Sequence, residues 1–332
     1  MKAVWYERNG AAHDVLRYGD MPDPEPGPDE VRVAIGCSGV NPSDVKRRAG
    51  SNQPPLAYPR AIPNMDGAGV IDRVGPGVNP ARIGQRVWLH STAHQRPFGT
   101  AAQYAVTPAT RAFELPPGVG LDVGAALGVP AMTAHRAVFG AGPVTGKTVL
   151  VTGGAGAVGF YAIQLAKWGG ASVLATVSSA AKAAFAQQAG ADAVFNYRTE
   201  NIADRVLAAT AGSGVDLIVD VDFGANLPTS LAVIKDNAVI ATYASMGQAQ
   251  PVLPVYTLTR KNLSIMGVLV YSMPQAAMQL AGAEVNAWLR SGRAIHNIAA
   301  RFPLLRTADA HMAVESGSLI GKVIVEVVAP AT

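Results

Sequence analysis

Thr148-Val149-Leu150-Val151-Thr152 is a short apolar run, and it passes directly into Gly153-Gly154-Ala155-Gly156-Ala157-Val158-Gly159. From Val158 to Trp168 the apolar residues then recur at helical spacing. A strand that enters a helix through such a turn restricts the fold severely. The spacing Gly154-x-Gly156-x-x-Gly159 supplies a tight turn, a residue with no side chain where a pyrophosphate would approach, and a small residue where helix packs on strand. The unpaired N–H groups at the start of the helix would complete a phosphate cradle. Gly-rich turns also join elements for structural reasons alone. Here the strand before, the helix after and the next strand favour a dinucleotide site.

The same alternation continues down the chain. Ser172 to Val177 is a second strand, and Ala180 to Ala189 a second helix closed by Gly190. Val194-Phe195-Asn196, Asp216 to Val221 and Ala238 to Tyr243 read as further strands. Strands joined by helices imply right-handed crossovers and a parallel sheet covered on both faces. The first third has a different texture. Val31 to Ile35, Val70 to Val74 and Arg86 to Leu89 are short strand runs, punctuated by Gly75-Pro76-Gly77 and Asn79-Pro80. That pattern predicts a compact, barrel-like β domain. Leu121 to Phe139 is an Ala-rich helix candidate with Pro130 as a break or kink. In the tail, Leu263 to Val270 reads as a strand, Pro274 to Leu289 as a helix, and Lys322 to Val328 as a last strand. The 332 residues suit about two domains.

An NAD site places Asp or Glu after the second strand to bond the ribose 2′-hydroxyl. Here Thr176-Val177-Ser178-Ser179 stands at that place, and no acidic residue occurs between Gly159 and Asp192. Ser178 and Ser179 can donate to a 2′-phosphate, and Lys182, one helical turn beyond Ser178, can add charge. The expectation is NADPH rather than NADH, with a plain surface lysine as the alternative for Lys182. Ala141 to Thr148 fits a relaxed P-loop pattern, but it leads into a strand, whereas a P-loop must lead into a helix. It is expected to be only a turn.

Composition removes several other classes. Hydrophobic residues make up 49% and charged residues 15%, which argues against disorder. The net charge of +4 is small and dispersed, and the cluster Lys46-Arg47-Arg48 is expected to be a solvated face or a site for one anionic group, so no nucleic-acid partner is expected. Cys37 is the only cysteine, which excludes an internal disulfide and a multi-cysteine metal site. His90 and His94 lie in a polar loop after a strand and are expected in a cleft or on the surface, not as ligands. There is no apolar run of about twenty residues and no signal region at Met1 to Trp5, so the expectation is no membrane span and a cytoplasmic protein.

Several motifs, in order, resemble the medium-chain dehydrogenases/reductases, in particular the zinc-free quinone oxidoreductase (ζ-crystallin-like) branch. They are Gly39-Val40-Asn41-Pro42-Ser43-Asp44, Met65-Asp66-Gly67-Ala68-Gly69-Val70, Gly99-Thr100-Ala101-Ala102-Gln103-Tyr104, Gly153 to Gly159, Asn196-Tyr197-Arg198 and Gly321-Lys322. The resemblance implies an α/β fold in which a Rossmann doubly wound parallel-sheet domain, residues 124–264, is inserted into a GroES-like β-barrel domain, residues 1–123. Residues 265–332 would return to the first domain, the active site would lie in the cleft, and a strand at about 263–270 would join a homodimer. Zinc-dependent relatives carry Cys where Asn41 stands and His where Met65 stands, so no metal is expected.

The resemblance also implies roles. The cofactor would touch Asn41, Thr133, Gly153, Gly156, Ala157, Val158, Gly159, Thr176, Ser178, Ser179, Lys182, Tyr197, Val221, Tyr243, Ala244, Val268 and Leu269, and Lys322 would close over it. Asn41, Lys46 and Thr133 would serve catalysis. The amide of Asn41 would donate to an acceptor carbonyl; Lys46 stands where the family has Tyr, and polarises a carbonyl or is solvated. His135 replaces another Tyr. Hydride transfer without metal needs the acceptor in line at about 3–3.5 Å and a stabilised oxyanion. Quinones and enones suit this, and no dedicated acid is evident in the sequence. The expected activity is NADPH-dependent quinone reduction. The alternatives are reduction of an enone or enal C=C bond, and a non-catalytic NADPH-binding protein.

Overall fold

A computed structural model describes residues 1–51 and 56–327. The chain forms two compact units: residues 1–129 with 289–292 and the chain from His296 on, and residues 130–288 with 293–295.

The first unit opens with β1 (Lys2–Trp5), α1 (Ala12–Val15), β2 (Arg17–Asp20), β3 (Glu30–Val40), α2 (Pro42–Ala49), β4 (Asp66–Val74), β5 (Arg86–Leu89), β6 (Tyr104–Pro108) and β7 (Ala112–Glu114), and the chain passes to the second within α3 (Leu121–Phe139). The second adds β8 (Thr148–Val151), α4 (Ala157–Trp168), β9 (Ser172–Val177), α5 (Ala180–Gln188), β10 (Ala193–Asn196), α6 (Ile202–Ala209), β11 (Val215–Asp220), α7 (Phe223–Val233), β12 (Ile234–Thr242), α8 (Val255–Arg260) and β13 (Ser264–Gly267). The tail is α9 (Gln275–Arg290), β14 (Ile298–Pro303), α10 (Thr307–Glu315) and β15 (Lys322–Glu326). Val328, the expected end of the last strand, lies outside the described residues.

In the first unit, β14, β15, β3, β4, β5 and β7 pair in that order, and β6 pairs with β3. The strands alternate inward and outward, so Val31, Val33, Ile35, Val87, Leu89, Val323 and Val325 form one buried core. β3 carries two register shifts against β4, and such bulges bend a strand. Asn41 is the N-cap of α2, Pro42 takes its first helical position, and Gly50 ends it in the left-handed conformation at φ 79°.

The second unit holds a six-stranded sheet in the order β10-β9-β8-β11-β12-β13. Every pairing in it is parallel. The chain winds outward from β8 to β10, then returns beside β8 as β11 and winds the other way. This reversal is the topological switch point where open parallel sheets bind ligands, at the carboxyl ends of the strands. The relaxed P-loop segment does lead into β8, as expected of a turn.

The compact second unit reaches Trp288, whereas the expected dinucleotide-binding domain ends at 264. β13 pairs with β12 in its sheet, and α9 binds it through Glu284 on His135 and Trp288 against Tyr161. Of the two expectations for Pro130, the break is excluded, for α3 runs through it. Just before the proline, the Val129 N–H donates to Asp66 at 2.8 Å. Lys46-Arg47-Arg48 is not a solvated face. Arg48 is fully buried and bonds Gly10 O and Glu315, while Arg47 donates to the carbonyls of Ala93 and Arg96.

Candidate active site

The glycine turn lies at the carboxyl end of β8. Gly153 takes φ 67°, and a Cβ there would stand 2.9 Å from Val221 Cγ1. Gly154 N–H donates to Thr176 O at 2.9 Å, which commits Thr176 to holding the turn. A Cβ on Gly159 would lie 2.3 Å from Gly153 O, so helix and turn approach as only glycine allows. Gly156 is exposed, and a Cβ there would meet only Gly153 O, at 3.2 Å. Gly156 is the N-cap of α4 and provides no capping side chain. The N–H groups of Ala157, Val158 and Gly159 therefore lack an acceptor within the helix, the arrangement that binds phosphate.

Beyond β9, Ser178 is nearly buried and Lys182 Nζ donates to its Oγ at 3.1 Å. Ser179 caps α5 by accepting from Lys182 N–H. Hydroxyls and an ammonium thus gather where an NAD site needs a carboxylate. Tyr197 follows β10, is 53% exposed, and is tied by its N–H to Val177 O. Val221 N–H donates to Thr152 Oγ1, which itself donates to Asp220. Tyr243 follows β12, and burial, with Asp220 adding to it, pushes its phenol above the ordinary range. Ala244 O accepts from Phe223 N–H, and Val268 N–H donates to Thr242 O. Val268 is buried and Leu269 exposed. Gly153, Ser178, Tyr197, Val221, Tyr243 and Val268 all follow parallel strands and share one edge of the sheet. Thr133 is buried on α3 in this unit. Burial holds the nearby His135 below the usual imidazole range, opposed by its 2.6 Å contact with Glu284. The residues along this edge fit a dinucleotide phosphate chain and a 2′-phosphate.

The first unit holds a second set of polar groups. Asn41 is buried at the start of α2, with Asp44 one turn on; Asp66 opens β4 and Lys322 opens β15. Asn41 Nδ2 donates to Asp66 Oδ2 at 2.8 Å and to Asp44 Oδ2 at 3.2 Å. Lys322 Nζ donates to Asn41 Oδ1 and, at 3.1 Å, to Asp66 Oδ2. Flipping the amide would set its oxygen against two carboxylates and its NH2 against an ammonium, so the charges fix its orientation. Both amide hydrogens of Asn41 are spent inside the cluster. In this arrangement neither amide hydrogen is left over for an acceptor carbonyl, the role expected of Asn41. Lys322 is buried in the same cluster. Lys46 is half-buried on α2.

Burial pushes the Asp44 carboxyl up to about 7, with Asp66 adding to the effect; Lys322 and the Asn41 hydrogen bonds oppose it. A hydrogen-bonded row runs on from Asp66. Thr100 Oγ1 donates to Asp66 O at 2.5 Å, Ser38 Oγ lies 2.7 Å from Thr100 Oγ1, and Asn64 Nδ2 donates to Ser38 at 2.9 Å. His311 Nε2 is 2.9 Å from Asn64 Oδ1. Full burial, with Arg48 close by, holds the His311 imidazole down at about 3.

The metal question turns on donors. Met65 is buried, and the oxygens of Asn41 and Asp66 already face the Lys322 ammonium. His90 is buried against Ser91 Oγ at 2.9 Å, so the surface expectation fails for it. His94 is half-buried, and burial lowers its imidazole. Among the described residues, no three His, Cys, Asp or Glu side chains are grouped to hold a metal ion. Asp44 and Asp66 were missed as site residues. The Asn41-x-x-Asp44 spacing is a helix-capping pattern, and a carboxylate in the small-residue run Gly67-Ala68-Gly69 was the other available signal.

The fold and these two sets of residues define a nucleotide-binding reductase of the medium-chain type. Residues 27–117 match the alcohol dehydrogenase GroES-like domain family and residues 157–285 the zinc-binding dehydrogenase family. Human quinone oxidoreductase is 30% identical over 321 residues, covering 96% of this chain and 95% of that one. A 2-haloacrylate reductase from a Burkholderia species is 28% identical over 337 residues, covering 98% of each. The structure of Escherichia coli quinone oxidoreductase complexed with NADPH aligns with a TM-score of 0.86 at 25% identity, covering 98% of this chain and 100% of that one. The chain belongs to the quinone oxidoreductase branch of the medium-chain dehydrogenases/reductases.

Proposed function

We propose that the protein reduces quinones with NADPH by hydride transfer, without a metal. The observation that carries this reading is the glycine turn with Ser178 and Lys182 beside it and no carboxylate at the end of β9. Bound NADPH supplies the hydride. The turn and the N–H groups of Ala157, Val158 and Gly159 hold its pyrophosphate; Thr176 supports the turn, and Ser178, Ser179, Lys182 and Tyr197 hold the adenosine phosphate end. Val221, Tyr243, Ala244, Val268, Leu269 and Thr133 take the nicotinamide half. Thr133 on the second unit and Asn41 on the first belong at the reacting end, Asn41 as a positioning group, and Lys46 is assigned there on its position in the family pattern alone. The human and E. coli relatives named above support a quinone as acceptor.

A second reading, reduction of an activated C=C bond, is favoured by the likeness to 2-haloacrylate reductase. Both deliver a hydride to a conjugated acceptor whose charge spreads on to oxygen. We further assign the protein to the cytoplasm and to a homodimer joined along β13, an edge strand whose Ile265 is 38% exposed. No described helix is long and apolar enough to cross a membrane.

Loss of NADPH absorbance with a panel of quinones and enones, on protein whose mass is measured by sedimentation, tests these assignments. The expected result is faster turnover with quinones by a dimer. Faster turnover with enones selects the second reading. Tight NADPH binding with no turnover on any acceptor would make the protein a non-catalytic binder.

A further inference from the structure

The reduction proposed above collects charge on an acceptor oxygen, and a group of the protein must meet that charge and deliver a proton. This inference rests on that reading. Asn41 cannot serve, since both of its amide hydrogens lie on Asp66 and Asp44. The Lys322 ammonium has three hydrogens, of which Asn41 Oδ1 and Asp66 Oδ2 take two. The third has no partner among the described residues. Only 5% of Lys322 is exposed, so the ammonium is largely stripped of water, and a fixed charge in such a place acts strongly on a developing oxyanion.

The fold is built around this side chain. β15 pairs with β3 so that Val323 faces Val40 and Ile324 faces Gly39. A Cβ on Gly39 would stand 2.0 Å from Ala125 O and 3.0 Å from Lys322 Cε, so the close approach of the Ala125 backbone requires the glycine, and the lysine stem packs in the same tight space. Asp66 is fully buried, and Val129 N–H holds its other oxygen at 2.8 Å, which prevents the carboxylate from swinging away. We propose that Lys322 is the catalytic group that hydrogen-bonds the acceptor oxygen and then protonates it, with Asp66 as its positioning residue.

The step balances. The hydride brings one hydrogen and two electrons into the conjugated acceptor, and a carbonyl π pair is displaced on to oxygen. The Lys322 N–H bond breaks as the O–H bond forms, and the nitrogen keeps the electron pair as a neutral amine. A proton from water restores the ammonium. One hydride and one proton are consumed for each acceptor reduced.

The competing role for Lys322 is a clamp on the cofactor, and the test separates the two. Wild type, Lys322→Met and Lys322→Arg are first compared by thermal melting. The affinity of each for NADPH is then measured by fluorescence, and for para-nitrophenolate, an oxyanion mimic, by its absorbance shift with NADP+ present. In Lys322→Met, phenolate affinity is expected to fall at least about tenfold with NADPH affinity little changed. Its kcat is expected to fall about a hundredfold or more, with partial rescue by methylammonium. If Lys322→Met does not fold, Lys322→Arg carries the test: it retains phenolate binding and loses most of kcat, because guanidinium donates hydrogen bonds and does not give up a proton. Unchanged phenolate binding and kcat with weakened NADPH binding would overturn the proposal in favour of the clamp. If the wild type turns over no acceptor, the proposed function fails, and phenolate binding alone still decides whether Lys322 meets an oxyanion.

Discussion

The two units build their sites from different materials. In the second, the work falls to backbone: a left-handed glycine, a bare N-cap and three N–H groups, all within residues 153–159, with two serines and a lysine one strand away. In the first, it falls to side chains from three stretches of the chain, residues 41–44, 66 and 322, packed as a buried knot of charge. The backbone site gains its specificity from what is missing, a Cβ or a carboxylate. The side-chain site gains it from opposed charges that must satisfy one another out of water. Such a knot is sensitive to pH and to the loss of any member, whereas the turn is sensitive to added bulk.

The largest expected effect is on the side-chain site. The Asp44 carboxyl is raised from 3.8 to about 7, so the folded state holds its proton more tightly than the unfolded chain. Its contribution to stability is therefore fully present below pH 3.8 and is lost as pH rises to about 7. His311 works oppositely. Its imidazole is lowered from 6.5 to about 3, so its contribution is present above pH 6.5 and is lost as pH falls to about 3. The two slopes oppose each other between about pH 4 and 6.5. Asp44→Asn keeps the shape and removes one slope. It should stabilise the protein by roughly 2–4 kcal/mol at pH 8 relative to pH 4, and leave a stability that rises with pH up to 6.5. Denaturant unfolding at a series of pH values measures this. Parallel profiles for variant and wild type would show that Asp44 is not held protonated.

Bulk added to the turn should have a smaller effect on stability, and its position should matter. Gly159→Ala places a Cβ 2.3 Å from Gly153 O, so it should cost about 1–3 kcal/mol in folding and also weaken NADPH binding. Gly156→Ala meets only Gly153 O, at 3.2 Å, and should leave the melting temperature nearly unchanged while weakening NADPH binding about tenfold. If both variants lose stability equally, the turn is a structural joint rather than a phosphate cradle.

The contrast also explains what could be seen in the sequence. A turn whose parts are adjacent leaves its pattern in one stretch, and the strand–turn–helix order of β8 and α4 follows from it. So does the parallel sheet, because each strand and each crossover helix is a local pattern. The cluster around Asn41 has no such local record. Asp44 reads as a helix cap and Lys322 as the start of a strand until β15 pairs with β3 and brings them together. The same reason hid Arg48, which lies in a charged run and is fully buried because its partners come from Gly10 and Glu315. The packing of α9 left no local record either, because it depends on Glu284 reaching His135 and Trp288 reaching Tyr161.

The central claim is that the turn, with Ser178 and Lys182, holds the 2′-phosphate of NADPH. Dissociation constants of NADPH and NADH, measured on wild type and on Lys182→Ala, test it most directly. The prediction is at least about tenfold tighter binding of NADPH by the wild type, with that preference largely lost in the variant. NADH bound as tightly as NADPH, or more tightly, by the wild type would contradict it.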